Sequence, residues 1–155
     1  MSRLTLLAVG KLKQSFYAQA ADHYRSLLTR HLRLTETEVR DAPAKLPDDQ
    51  RKQREAATLL DKRDPRSPLL AMDERGKALD SRAFSLTLVD YWETGRTPCL
   101  ILGGPLGLAS QVRERADRVL SLGSMTLPHE LARVVLLEQI YRAVSIWRGF
   151  PYHND

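Results

Sequence analysis

The sequence predicts an α/β protein whose mostly parallel sheet is covered by helices on both faces. Three observations carry this prediction: apolar runs of strand length, amphipathic stretches with helical spacing between them, and about five alternations of the two. Strands that alternate with helices pair in parallel, and each connecting helix packs on a face of the sheet. No linker or repeat divides the chain, so we expect one domain over residues 1–155.

The first half of the chain alternates apolar runs with amphipathic stretches. The run "RLTLLAVG" has β-strand character, and Tyr17, Ala20 and Tyr24 then recur at helical spacing. A loop rich in Pro and Asp, "DAPAKLPDD", precedes a polar helix, and "ERGK" predicts a turn after the buried run "PLLAMD". The predicted strands are 3–10, 32–39 and 68–73, the predicted helices are 14–31 and 50–63, and the predicted turn is 74–77.

The second half repeats the alternation. Residues 81–94 predict a helix with an apolar stripe that includes Phe84 and Leu88, ended by Gly95. The run "PCLILGG" predicts a strand, and Ser110 is a suitable N-cap for a helix after it. The further predicted elements are a strand at 98–104, a helix at 110–121, a short strand at 123–127 and, after Pro128, a helix at 129–148.

Composition excludes several classes of protein. The chain has 43% hydrophobic and 28% charged residues, which is typical of globular domains and not of disordered chains. Its apolar runs are too short to span a bilayer, and the N-terminus lacks the features of a secretory signal. The lone Cys99 can form no internal disulfide. We therefore expect a cytoplasmic protein with no membrane segment.

The net charge of +5 is confined to the first part of the chain. Residues 1–33 contain six basic side chains and only Asp22 as an acidic one, whereas the rest of the chain is balanced. Arginine outnumbers lysine, and guanidinium groups suit the recognition of phosphate. This basic segment is either a solvated surface or a surface that binds RNA, and the sequence leaves both alternatives open.

Three predicted strand ends are candidate site elements, because ligands of parallel α/β sheets bind at the carboxyl ends of the strands. They are Met72 with Asp73, the segment 103–108 ("GGPLGL") and the segment 122–127 ("LGSMTL"). The glycine segment lacks the spacing of a phosphate-binding loop, and Pro105 removes an amide donor. It can instead turn sharply and bring its backbone close to a flat, uncharged group.

Three stretches together carry a family resemblance: "LILGGPLGL", "LSLGSMTLPHELARVVLLEQIYRA" and the ending "GFPYHND". In order and spacing they resemble the ribosomal RNA large-subunit methyltransferase H family, small SPOUT-superfamily enzymes that methylate N3 of a pseudouridine in large-subunit (23S) ribosomal RNA. The resemblance extends over the whole chain and is weakest between 41 and 66. It implies a C-terminal trefoil knot, a homodimer, and S-adenosylmethionine bound in the knot.

The resemblance also implies site residues. The family's cofactor contacts fall on Met72, Gly103, Leu122, Gly123, Ser124, Met125, Thr126 and Leu127. The candidate catalytic residues are Arg142 on the last predicted helix, and Tyr152 and His153 in the ending that carries the resemblance. An imidazole can accept a proton near neutral pH, a tyrosine ring can stack on an unpaired base, and a guanidinium can hold a phosphate or a developing anion. No metal is expected, since the four histidines have no ligand spacing.

Structural roles remain open for several of the singled-out residues. His129 suits the start of a helix, Tyr141 and Trp147 suit a core or a dimer interface, and Glu138 suits an i,i+4 pair with Arg142. His153 acts only in positioning if the imide of the base ionises in solution.

Two other functions are compatible with the sequence. One is a ribosome-binding or assembly factor that keeps the fold without the chemistry. The other is a small-molecule enzyme that uses a nucleotide cofactor in the same crevice.

Overall fold

The structure is a computed structural model that describes residues 1–155, and it contains five strands and five helices. The strands are β1 (Arg3–Val9), β2 (Arg33–Val39), β3 (Leu69–Ala78), β4 (Cys99–Leu102) and β5 (Arg118–Ser121). The helices are α1 (Ser15–Leu28), α2 (Asp48–Lys62), α3 (Ser81–Glu93), α4 (Ser110–Arg115) and α5 (His129–Arg148).

All five strands form one sheet in the order β2-β1-β4-β3-β5, and every pair in it is parallel. Residue Ala8 of β1 pairs with Leu102 of β4, which in turn pairs with Met72 of β3. The carboxyl ends of these three strands therefore lie side by side at one edge of the sheet.

Helices cover both faces of the sheet, as the sequence predicts. On one face α1, α3 and α5 enclose a core that includes Leu88 and Leu137. On the other face α2 and α4 pack over a smaller core that includes Leu59 and Val112. Burial of apolar side chains on both faces stabilises a sheet whose central strand β4 and the first four residues of β3 are fully buried.

The predicted helix over 110–121 is wrong in its second half. Helix α4 ends at Arg115, and the chain then forms β5. Asp117 exchanges hydrogen bonds with Leu69, through its backbone N–H at 2.8 Å and its carboxylate at 2.7 Å. Pairing with β3 thus overrides the helical spacing of Val112 and Ala116. Ala109, not Ser110, is the N-cap of α4.

Two other local predictions are also wrong. Residues 74–77 are not a turn, because β3 continues to Ala78 through a bulge at which both Met72 and Lys77 pair with Leu120. A Cβ on Gly76 would lie 2.6 Å from the backbone of Leu120, so glycine permits this close approach. Residues 123–127 form no strand, since β5 ends at Ser121 and the following segment leaves the sheet.

Candidate active site

A cavity of about 670 Å³ lies at the carboxyl ends of β4 and β5, beside the bulge of β3. Its walls come from residues 72–75 of β3, from the glycine segment 103–108 after β4, from the segment 121–127 at the end of β5 and from the start of α5. Seven of the eight residues predicted to contact a cofactor line it: Met72, Gly103, Leu122, Gly123, Met125, Thr126 and Leu127. Ser124 lies in the same segment but is exposed and outside the lining.

The glycine segment folds tightly on itself. Gly104 and Gly107 form an isolated bridge, and Gly107 N–H donates to the carbonyl of Gly104 at 3.0 Å. A Cβ on Gly103 would lie 2.6 Å from the carbonyl carbon of Gly107, so any larger residue would push the segment open. Gly107 has a φ of 79°, in the left-handed region that favours glycine. This wall of the cavity therefore consists mainly of backbone.

An ion pair links β3 to the glycine segment through α4. The Asp73 side chain is only 7% exposed, and its carboxylate lies 3.4 Å from the Arg113 guanidinium. Arg113 also donates to the carbonyl of Leu108 at 2.7 Å, and Asp73 accepts from the Arg75 N–H at 2.9 Å. The prediction that β3 ends at Asp73 is wrong, since the strand continues to Ala78, and no sequence motif marks Arg113, whose role depends on contacts between distant segments.

The segment after β5 presents small and apolar groups to the cavity. Ser121 Oγ donates to the carbonyl of Gly123 at 2.7 Å, and the Gly123 N–H lies 3.0 Å from the same Oγ. Gly123 has a φ of 138°, which lets the chain leave the sheet sharply. Met125 is 83% exposed at the cavity mouth and is one of the few large apolar side chains that face solvent. This wall can contact an apolar or aromatic group.

The first two turns of α5 form the fourth wall of the cavity. His129 and Ala132 line the cavity, so the histidine that suits a helix start also faces the candidate site. On the adjacent face of the helix, Glu130 and Arg133 are buried and bind the chain just after β1. Burying two charged side chains is favourable only with such partners.

The residues predicted to be catalytic lie together at the other end of α5. Glu138 Oε1 accepts from Arg142 Nη2 at 2.5 Å and from the Tyr152 hydroxyl at 3.0 Å. The Arg142 guanidinium also lies 4.8 Å from the centre of the Tyr152 ring. The pKa of Arg142 is raised, mainly by its hydrogen bond to Glu138, so it stays cationic. Burial, and then Glu138, raise the pKa of Tyr152, which therefore stays protonated.

His153 is held between two charged side chains. Its Nδ1 lies 3.1 Å from Arg142 Nη1, and its Nε2 lies 3.4 Å from Asp155 Oδ1. A guanidinium can only donate, so Nδ1 is the acceptor and Nε2 carries the hydrogen of the neutral ring. The tail that contains Tyr152 and His153 thus folds back on α5 through polar contacts. Glu138 is central to this arrangement, although its spacing in the sequence predicts only a pair with Arg142.

The two groups of predicted site residues lie along different parts of α5. His129 at the cavity and Arg142 beside His153 are thirteen positions apart, about 20 Å, whereas Ala132 at the cavity and Glu138, which binds Tyr152, are six positions apart, about 9 Å. No residue of the tail lines the cavity. The cavity of one chain is thus lined without its own tail.

Tyr141 and Trp147 take packing roles, one of the alternatives that the sequence leaves open for them. Tyr141 lies edge-on to Tyr152 with ring centres 4.6 Å apart, and Trp147 lies against Trp92 at 5.2 Å. No group of three or more His, Cys, Asp or Glu side chains is arranged to hold a metal ion. None of the helices combines the length and apolar character needed to cross a lipid bilayer.

Comparison with known proteins agrees with this geometry. Residues 2–153 match the model of a family described as predicted SPOUT methyltransferase. A protein of Nitratidesulfovibrio vulgaris (strain Hildenborough) named "Ribosomal RNA large subunit methyltransferase H" is 46% identical over the whole length of both chains. The protein of that name from N. vulgaris (strain Miyazaki F) is 50% identical and covers 99% of this chain and 100% of its own.

Solved structures share the fold. A methylase family protein from Neisseria gonorrhoeae aligns with a TM-score of 0.55 and 16% identity, covering 99% of this chain and 85% of its own. That likeness concerns the fold alone. With the family model matching nearly every residue and the glycine segment, the 121–127 segment and α5 meeting at one cavity, the chain belongs to the SPOUT methyltransferase family.

Proposed function

We propose that the protein transfers a methyl group from S-adenosylmethionine to large-subunit ribosomal RNA, at N3 of a pseudouridine. One observation carries the proposal: three distant segments of a SPOUT methyltransferase chain meet at one cavity, and they contain the residues implied to contact the cofactor. The relatives at 46–50% identity bear the name of a large-subunit ribosomal RNA methyltransferase. Recognition of assembled ribosomes in the cytoplasm is part of the proposal.

The lining of the cavity fits S-adenosylmethionine. The backbone of Gly103 packs directly against that of Gly107, so this wall exposes peptide groups instead of side chains, which suits a flat ring lying against backbone. Apolar side chains such as Met72 and Leu122 can enclose that ring, and the Asp73 carboxylate offers acceptors to hydroxyl or ammonium groups. When bound, the cofactor supplies a methyl group already activated on a sulfonium sulfur.

The protein's own residues must position the acceptor nitrogen and accept the proton that this nitrogen loses. We assign Tyr152 to stacking on the target base and Arg142 to a phosphate or to the charge that develops on the base. His153 is the proposed proton acceptor. Its Nδ1 becomes free to accept when Arg142 turns from the imidazole to an RNA phosphate.

We propose further that the active unit is a homodimer in which the tail of one subunit reaches the cavity of the other. The support is that no residue of the tail lines the cavity of its own chain, since Glu138 and Arg142 hold the tail further along α5. Half-buried aromatic residues on the same helix, Tyr141 and Trp147, offer apolar area beside the tail for such a contact.

The first experiment is transfer of labelled methyl to ribosomes from cells that lack this protein, with intact ribosomes, separated subunits and free RNA compared. We expect label at a single pseudouridine of the large-subunit RNA of assembled particles. Cofactor binding without transfer to any RNA would favour the assembly factor. A saturable metabolite acceptor would favour the small-molecule enzyme.

The shared active site has a separate test by complementation. Gly103→Ala disables the cavity and His153→Ala disables the tail, so each homodimer should be inactive. Co-expressed with different affinity tags and purified as a mixed dimer, the two variants combine one intact cavity with one intact tail of the other subunit. We expect roughly half of the wild-type activity from that dimer, since one of two sites is complete. An inactive mixed dimer would contradict the shared site.

A further inference from the structure

The loop that leads from β1 into α1 carries an unusual set of exposed side chains. We call residues 10–16 the β1–α1 segment. Phe16 is 60% exposed and is the only aromatic side chain of the chain that faces solvent to this extent. Lys11 and Lys13, on the same segment, are also exposed. An exposed aromatic ring among lysines is the composition that binds single-stranded nucleic acid.

Two sets of contacts place this segment beside the cavity. Glu130 Oε1 accepts from the backbone N–H of Lys13 at 2.5 Å and from that of Gln14 at 3.2 Å. Arg133 Nη2 donates to the carbonyl of Gly10 at 2.7 Å. Both side chains belong to the two turns of α5 whose other face, at His129, lines the cavity.

The sheet brings the segment to the cavity from a second direction. Strand β1 lies next to β4, so Gly10 leaves the sheet beside the glycine segment that forms a cavity wall. A Cβ on Gly104 would lie 3.0 Å from the Val9 side chain, which measures how closely the two chain segments approach. The β1–α1 segment therefore borders the cavity mouth on the side of β1.

The two lysines are free to bind an anion. Neither of them has an ion-pair partner. Glu36 and Glu38, which share a groove with Lys11, already bind Arg25 and Arg133. The Asp41 carboxylate lies beside Gly10 but forms no ion pair with either lysine. Glu130 is occupied by backbone N–H groups. The positive charge of the segment is thus available to solvent beside the cavity.

We propose that the β1–α1 segment binds the nucleotide adjoining the target in the same RNA, with its base stacked on Phe16 and its phosphates held by Lys11 and Lys13. The inference rests on the proposed function and assigns its RNA contact. An unpaired base presents a flat face to an aromatic ring, and lysines bind phosphate without reading sequence. Glu130 and Arg133 are then positioning residues, because each buried side chain binds the backbone of this segment and holds it at a set distance from the cofactor cavity.

The test compares Phe16→Ala, Phe16→Trp and Lys11→Ala/Lys13→Ala with the wild type. Leu86→Ala and Lys62→Ala serve as matched controls, since Leu86 is 65% exposed on α3 and Lys62 is exposed at the end of α2 that points away from the cavity. Three quantities are measured for each variant: the dissociation constant for ribosomes by co-sedimentation, KM against kcat for methyl transfer, and the affinity for S-adenosylmethionine.

We expect Phe16→Ala to weaken ribosome binding and raise KM roughly tenfold with cofactor affinity unchanged, and Phe16→Trp to restore both. The double lysine variant should lower the dependence of log Kd on log salt by roughly 0.7 for each phosphate that the lysines no longer neutralise. The control variants should behave as the wild type does.

Each opposite result has a distinct meaning. Unchanged ribosome affinity and KM in Phe16→Ala would overturn the inference while leaving the proposed methyl transfer intact. Dissociation of the Phe16→Ala dimer in sedimentation would also overturn it, by assigning Phe16 to a contact between subunits. A wild type that binds ribosomes through Phe16 but methylates no RNA would refute the proposed reaction and support the contact.

Discussion

The Tyr152 hydroxyl donates a 3.0 Å hydrogen bond to Glu138, fourteen positions earlier in the chain, and thereby closes the tail onto α5. The same carboxylate oxygen binds Arg142 at 2.5 Å, so one acidic side chain orients two of the three residues predicted to be catalytic. An unsupported chain end would fray into solvent. Here polar contacts with a long, well-packed helix hold the tail in one conformation.

Glu138→Gln should lower methyl transfer much more than cofactor binding. The amide loses the charge that holds Arg142, and a hydrogen bond to a charged group contributes about 1.5–3 kcal/mol. If the whole of that free energy orients the tail, kcat should fall roughly 10- to 100-fold. Steady-state kinetics and calorimetric titration with S-adenosylmethionine measure the two effects separately.

A matched control for Glu138 is Glu93→Gln, because Glu93 is an exposed acidic residue at the end of α3. Its activity should equal that of the wild type. Tyr152→Phe removes only the donor of the 3.0 Å bond and should give an intermediate loss. Full activity in both Glu138→Gln and Tyr152→Phe would mean that the tail needs no such orientation.

Gly103→Ala should damage the cavity specifically. The added Cβ would lie 2.6 Å from the backbone of Gly107, and overpacking of this kind costs roughly 1–3 kcal/mol. We expect affinity for S-adenosylmethionine to fall at least about tenfold, measured by calorimetry. Gly95→Ala is the control, since its φ of 72° is strained for alanine but no atom lies within 4 Å of the new Cβ. Equal affinity for S-adenosylmethionine in Gly103→Ala and Gly95→Ala would contradict the close contact between the backbones of Gly103 and Gly107.

Arg133→Met should destabilise the protein although it keeps most of the side-chain volume. The guanidinium is 2% exposed, donates to the carbonyls of Val9 and Gly10 and pairs with Glu38. Methionine leaves those buried carbonyls unpaired, at a cost of about 2–4 kcal/mol. Urea unfolding measures the loss, and Arg54→Met on the exposed face of α2 should change the free energy of unfolding by less than about 0.5 kcal/mol.

The Cys99 thiol should make the free energy of unfolding depend on pH in the alkaline range. Burial raises the pKa of Cys99 from an ordinary 9.0 to about 12. Between these values the unfolded chain has lost the thiol proton and the folded chain has kept it. Raising the pH therefore favours unfolding, and the contribution of Cys99 to stability, complete below about pH 9, falls by up to about 1.4 kcal/mol per pH unit.

The measurement for Cys99 is the difference in urea unfolding between the wild type and Cys99→Ala at several values from about pH 7 to about pH 11, the range in which the unfolded thiol titrates. The difference isolates the thiol from the tyrosines and lysines that titrate in the same range. A difference that does not change with pH would show that the thiol ionises as readily in the folded protein as in the unfolded one.

Much of the fold could be predicted from local patterns. Helix α5 begins after Pro128 and ends before Gly149, at the limits that the breaker residues indicate. Strand β4 coincides with an unbroken apolar run, because a strand buried on both faces excludes polar side chains, and β1 is apolar from Leu6 to Val9. The failures lie at 74–77, where β3 continues through a bulge, and between 110 and 127, where helical spacing in the sequence yields to pairing of β5 with β3 through Asp117 and Leu69.

By itself the sequence determined the alternation of elements, the strand ends at which a site would form, and, through the family motifs, the candidate residues from Met72 to His153. Only the tertiary structure decided which of those residues meet. It places the cofactor segments at one cavity and the tail further along α5, against Glu138 and Arg142, and it reveals the roles of Arg113, Glu130 and Glu138. The physical reason is that spacing along a chain encodes local conformation, whereas contacts between distant segments arise only when the sheet and its helices pack together.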